Sequence, residues 1–82
     1  MNNNVYSLYN RLSCRYGDVM CYPSDSFAIK RVQEILKNNL DEFELVRIGM
    51  ISVESGKLVV TEPVHVNIQQ PVSIDDMATK SE

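Results

Sequence analysis

Tryptophan is absent, histidine occurs once, and the 82 residues hold only three glycines, three prolines and two cysteines. Each shortage removes a class of chemistry. Hydrolytic and group-transfer enzymes need a nucleophile beside a base, a paired acid and base, or a metal held by several ligands. His65 alone would have to serve with Cys14 or Cys21, and no spacing in the chain supports such a site. The adjacent pairs Asp41-Glu42 and Asp75-Asp76 read as solvated charges at a helix exit and in a tail. Gly17, Gly49 and Gly56 are isolated, which excludes a glycine-rich phosphate loop. The expectation is a protein that is not an enzyme and needs no metal or cofactor.

Long apolar runs are also missing. Nothing approaches the ~18 residues that cross a bilayer, and Met1-Asn2-Asn3-Asn4-Val5 has neither a basic nor an apolar leader region. A cytoplasmic protein without membrane contact is expected. Cys14 and Cys21, spaced C-x6-C, match neither a zinc knuckle nor a redox C-x-x-C motif. Reduced, buried or half-buried thiols acting as small hydrophobes are the simpler expectation, although a turn between them would allow the two to face each other across a hairpin.

Hydrophobic residues make up 44% of the sequence and charged residues 23%, enough apolar material for a folded core. The length fits one domain, expected over residues 1–72, with a mobile acidic tail at 73–82. The net charge of −3 is unevenly spread: residues 1–39 carry +2 and residues 40–82 carry −5. A polyanion, if bound, meets the first half.

Alternating residues from Val5 to Leu12 predict a strand, with Tyr6, Leu8 and Leu12 on one side and Val5, Ser7 and Tyr9 on the other. A turn over Ser13 to Asp18 leads to a second strand, Val19 to Tyr22, stopped by Pro23. Ser24-Asp25-Ser26 supplies helix-capping oxygens before Ala28, Val32, Ile35, Leu36 and Leu40, which recur at helical spacing, widened by Ile29. Lys30, Gln33, Glu34 and Lys37 fall on the opposite face. Between Phe43 and Val53 the apolar phase shifts, predicting a bulge or burial on both faces. Glu54-Ser55-Gly56-Lys57 reads as a turn with Gly56 at positive φ, and Leu58-Val59-Val60 as the return strand. Glu62-Pro63 is expected to end it, leaving Val64, Val66 and Ile68 for a short edge strand. The predicted fold is α+β, a ββαββ antiparallel sheet with one amphipathic helix packed on it.

All four tyrosines, Tyr6, Tyr9, Tyr16 and Tyr22, lie in the first 22 residues, interleaved with Arg11 and Arg15. Aromatic rings stack on bases at ~1–3 kcal/mol each and cations track phosphates, so a hairpin presenting Tyr9, Arg11, Arg15 and Tyr16 fits single-stranded nucleic acid. Lys30, Arg31 and Lys37 would extend the basic surface along the helix, although a charged outer helix face is usually a solvated one. Tyrosine is equally a good strand residue with a polar tip, and two of the four fit a core face. Sequence leaves both readings open.

The stretch Asp41-Glu42-Phe43-Glu44-Leu45-Val46-Arg47-Ile48-Gly49, followed by Glu54-Ser55-Gly56-Lys57-Leu58, resembles the small nonstructural protein of gokushoviruses, single-stranded DNA phages of the Microviridae. The opening Val5-Tyr6-Ser7-Leu8-Tyr9-Asn10 and the Pro23-Ser24-Asp25 entry to the helix agree with it, so the likeness spans about residues 5–68. It implies a protein of the infected bacterial cytoplasm, absent from the mature virion, that binds single-stranded DNA and assists genome replication or its switch to packaging. The resemblance transfers no binding residues. Two cysteines near the first turn and the acidic C-terminal stretch depart from the pattern. The alternative expectation is an adaptor whose exposed strand edges pair with another subunit and whose acidic tail docks on a basic partner such as a replication or capsid protein. Open edges would also suit a homodimer that doubles the basic hairpin.

Overall fold

The computed structural model describes residues 1–69, so the expected acidic tail and the last residues of the expected domain lie outside them. The elements are β1 (Asn2–Asn10), β2 (Arg15–Tyr22), α1 (Asp25–Leu36), a 3-10 helix (Lys37–Glu42), β3 (Phe43–Ser52) and β4 (Leu58–Val66). Every strand pairing is antiparallel and the strand order is β2-β1-β3-β4. This is the ββαββ arrangement of the α+β class: two hairpins, joined through the helix, meet along a β1–β3 seam at the centre of the sheet.

Period-two alternation in β1 divides its residues between two environments. Tyr6 and Leu8 point to the helix side and, with Leu45, close on Ala28, Ile29 and Val32. Tyr6, Val32 and Leu45 are fully buried. Ile68 completes this core rather than extending an edge strand, since β4 ends at Val66 and Gln33 Nε2 donates to the Ile68 carbonyl at 3.0 Å. The 3-10 helix carries Leu40 onto the same cluster.

At its N-terminus α1 is capped by Ser24, whose hydroxyl accepts from the Phe27 N–H at 3.2 Å. Asp25 in the first turn receives the Tyr6 hydroxyl at 2.5 Å and forms an ion pair with Arg47. Asn4 Nδ2 donates to the same tyrosine oxygen at 3.0 Å. The helix ends at Lys37, where φ of 44° is a left-handed value that ordinary side chains disfavour. Ile35, expected on the core side, is exposed because the buried stripe turns through Ala28, Ile29 and Val32 towards Leu36. Glu34 pairs with Arg31 at 3.6 Å on the outer surface of the helix.

Four boundaries differ from the sequence reading. The polar run Asn2-Asn3-Asn4 is already strand because it pairs with Met50, Ile51 and Ser52. The first turn is Arg11–Cys14, not Ser13–Asp18: the Asn10 side-chain oxygen accepts from the N–H groups of Leu12 and Ser13 and starts the turn early. Leu12 therefore sits in the turn, 77% exposed, and not on the core face. Gly17 and Asp18 fall inside β2, at the register shift opposite Leu8.

The expected phase shift in β3 is a bulge. Val5 pairs with Gly49 and Tyr6 with Arg47, leaving Ile48 as the extra residue. At the same place β4 comes close: a Cβ on Gly49 would overlap the Val59 carbonyl oxygen, so glycine is required there by close approach of backbone. Gly56 has the expected positive φ, 74°. Glu62-Pro63 does not terminate β4. Arg47 pairs with Val64 and Gly49 with Val60, so Thr61, Glu62 and Pro63 bow out as an irregularity on an edge strand, where a missing N–H is tolerated.

Candidate nucleic-acid interface

The sheet face opposite the helix carries Asn3, Val5, Ser7 and Tyr9 from β1 by alternation. Direct pairing then assigns its neighbours. Tyr16 stands opposite Tyr9, Val19 opposite Ser7 and Cys21 opposite Val5 on β2, while Glu44 stands opposite Tyr9 and Val46 opposite Ser7 on β3. His65 pairs with Val46 from β4. Val5, Ser7 and Val46 are buried, although among the described residues no helix covers this side.

At the end of this face near the first turn, Tyr9 and Tyr16 form a cross-strand ring pair with centroids 4.9 Å apart and planes at 57°. Tyr16 is 56% exposed. Tyr9 is only partly exposed, and hydrogen bonding with the Cys14 thiol raises its hydroxyl above the ordinary tyrosine value, with Glu44 and Tyr16 adding to the shift. Cys14 is thereby a neighbour of the pair, held in the turn at φ 59°.

Glu44 lies on the other side of Tyr9. Its Oε2 accepts from Arg11 Nε at 3.1 Å and its Oε1 meets His65 Nδ1 at 2.7 Å. Arg11 engages the carboxylate through Nε only, and its terminal nitrogens make no hydrogen bond among the described residues. A depression of about 210 Å³ adjoins the group, bordered by Arg11, Phe43, Glu44 and His65 among others. That is smaller than the ~300–1,000 Å³ of small-molecule pockets, so this corner is an open contact surface.

The seven residues expected at the site therefore separate. Tyr9, Tyr16 and Arg11 come together, but Arg11 is neutralised by Glu44. Arg15 begins β2 next to Tyr16, is exposed, and makes no ion pair among the described residues. Lys30 and Arg31 share the outer surface of α1 with Phe27 and Glu34, and Lys37 sits at its C-terminus. The helix occupies the other face of the sheet, so these three cations do not continue the tyrosine surface. Sequence reasoning missed Glu44 and His65 as neighbours of Tyr9. The pairing register that unites them joins residues 9, 44 and 65 through two strand ladders, and no local spacing announces it.

Both cysteines are free and exposed, not buried or half-buried as expected. Nor do they face each other: Cys14 is in the turn and Cys21 is opposite Val5, seven residues along β2. At ~3.3 Å per residue that is roughly 20 Å, beyond the ~7 Å Cα limit of a disulfide. Among the described residues no group of three or more His, Cys, Asp or Glu is placed to hold a metal ion, and no helix is long and apolar enough to cross a membrane.

The burial of Tyr6 and the pairing of Tyr9 with Tyr16 divide the tyrosine cluster between core and surface. No protein-family model, curated protein or solved structure matches the chain.

Proposed function

We propose that this protein binds single-stranded DNA through the sheet face opposite α1, with Tyr9 and Tyr16 as the stacking platform and Arg15 supplying positive charge, while Arg11 is offset by Glu44. The observation that carries the reading is the surface tyrosine pair, 4.9 Å between centroids, at the exposed end of an antiparallel sheet. Bases stack on such rings whatever their sequence, and each stacked base is worth ~1–3 kcal/mol. Lys30, Arg31 and Lys37 act only through the long-range field. By its resemblance to the gokushovirus nonstructural proteins, the role is assistance to phage genome replication, or to its switch to packaging, in the host cytoplasm.

Fluorescence anisotropy with a labelled single-stranded oligonucleotide tests the reading. Salt-sensitive binding at micromolar protein is expected, weaker for duplex of the same length. Absence of binding at low salt would sink it.

One observation favours a second reading, a protein-interaction adaptor. The edge strand β4 exposes Leu58, Val59, Val60 and Val64, with Val60 78% exposed, and exposed apolar edges are ready templates for pairing with another chain. A replication or capsid protein, or a second copy, would fit. Co-purification that survives nuclease treatment supports the adaptor, and loss on nuclease treatment supports DNA.

A further inference from the structure

The corner around Tyr9 is not a simple cationic patch. Arg11 and His65 both spend a donor on Glu44, leaving a carboxylate at the surface beside an aromatic ring. A phosphate placed there meets Coulomb repulsion from Glu44 of the same order as its attraction to Arg11, because both charges lie within a few ångströms of it. The group is therefore poorly suited to a phosphodiester. It is well suited to hydrogen-bond donors.

We infer that Glu44 reads the edge of a base stacked on Tyr9 and that it selects guanine. One side of Tyr9 is occupied by Tyr16. Glu44 is the residue directly opposite Tyr9 on the other neighbouring strand. A base stacked from that side turns its edge to the carboxylate, whose partners Arg11 and His65 border an open depression with it. An ionised carboxylate offers about four acceptor sites, of which Arg11 and His65 use one on each oxygen. Both oxygens keep capacity for one more donor. Guanine alone presents two adjacent donors on its Watson–Crick edge, N1–H and the N2 amine. Thymine has one donor between two carbonyls, and adenine and cytosine each set an amine beside a ring acceptor, so a carboxylate meets repulsion from all three. Single-stranded bases are commonly recognised in this way, stacked on an aromatic ring and bonded along the edge. Arg11 and His65 are positioning residues here: each grips one oxygen and fixes the plane in which the carboxylate accepts.

The inference rests on the single-stranded DNA reading, and the test separates the two. Twelve-residue oligothymidylates carrying two central guest bases are titrated by anisotropy into the full chain, the guests being guanine, hypoxanthine, adenine, cytosine and thymine. Guanine guests should bind about tenfold tighter than thymine, with hypoxanthine, which keeps N1–H and lacks the amine, between them. Glu44→Gln should erase the preference for guanine over the other guests, since an amide accepts through one oxygen only. Equal affinity for all guests in the unsubstituted protein overturns the inference and leaves the binding reading standing. Absence of binding to every guest overturns both. The comparison of guests in the unsubstituted chain needs no variant to fold.

Discussion

The Tyr6 hydroxyl donates to Asp25 Oδ1 across 2.5 Å and fastens the middle of β1 to the first turn of α1. Arg47 reaches the second oxygen of the same carboxylate from β3, and Asn4 Nδ2 supports the phenol from two residues away. Helix and both central strands thus converge on one side chain.

Asp25→Ala should lower stability by about 2 kcal/mol, since hydrogen bonds to charged groups contribute ~1.5–3 kcal/mol each and exposure of these partners discounts the sum. Tyr6→Phe should cost about 1 kcal/mol, because the ring stays buried and only the hydroxyl is lost. Urea midpoints measured at constant m-value check both. Equal stability of Asp25→Ala and the parent would show that the network adds nothing.

The same network predicts a pH profile with two limbs. Burial pushes the Asp25 carboxyl up, but hydrogen bonds from Tyr6, Arg47 and Asn4 outweigh it and hold the group below its ordinary value of 3.8. Its contribution is present above that value and is lost as pH falls through the lower folded-state value. Tyr6 moves the other way: burial and the Asp25 bond raise it above its ordinary 10.0. Its contribution is complete below pH 10 and declines as pH climbs beyond it. Tyr6→Phe should flatten the alkaline limb, and Asp25→Asn the acid one, in thermal melts collected across pH.

Gly49→Ala should cost about 2–3 kcal/mol, the scale of overpacking against atoms that cannot give way, because the added carbon meets the Val59 backbone. Gly17→Ala provides the contrast. Its nearest neighbour, the Leu8 carbonyl, is at an ordinary 3.8 Å, so the change should stay within about 0.5 kcal/mol. Denaturant unfolding of the two variants distinguishes close approach from a general glycine effect.

Lys37→Gly should stabilise the protein by about 0.5–1 kcal/mol, since glycine adopts the φ of 44° at the helix end without the steric cost that lysine bears. A rise in melting temperature is the expected result. It also removes one cation, so unchanged affinity for single-stranded DNA in this variant would place the bound strand away from the helix.

Tyr16→Ala should weaken single-stranded DNA binding roughly tenfold, within the range of one lost stacking contact. Tyr9→Ala and the double variant should fall short of additivity, because the two rings support each other. Arg15→Ala should reduce the slope of log affinity against log salt by about 1, and Arg11→Ala by less, since Glu44 already screens Arg11. Anisotropy at four salt concentrations measures each slope.

Much of the fold was legible because periodicity reports burial. The alternation through Tyr6 and Leu8, the helical stripe through Ala28 and Val32, and the phase slip around Ile48 each map onto an observed element. The illegible parts depend on tertiary pairing. Asn2-Asn3-Asn4 has no strand propensity of its own and is extended because β3 supplies partners. Pro63 reads as a strand terminator, but an edge position needs no N–H from it. At the candidate site the tyrosines were visible as a cluster, while their division between Tyr6 in the core and Tyr9 with Tyr16 outside follows from strand alternation. The charge on Arg11 could not be discounted without knowing that Glu44 stands beside it.

The central seam between β1 and β3 also sets how the chain must fold. Each hairpin joins near neighbours and can close in microseconds. The seam's nearest partners are Asn10 and Phe43 and its farthest Asn2 and Ser52, so its closure bears the entropy of a loop that contains β2 and the whole helix. During synthesis the first hairpin must wait with one edge of β1 bare until β3 has left the ribosome. Its hydrophobic residues are open to misplaced pairing for that interval.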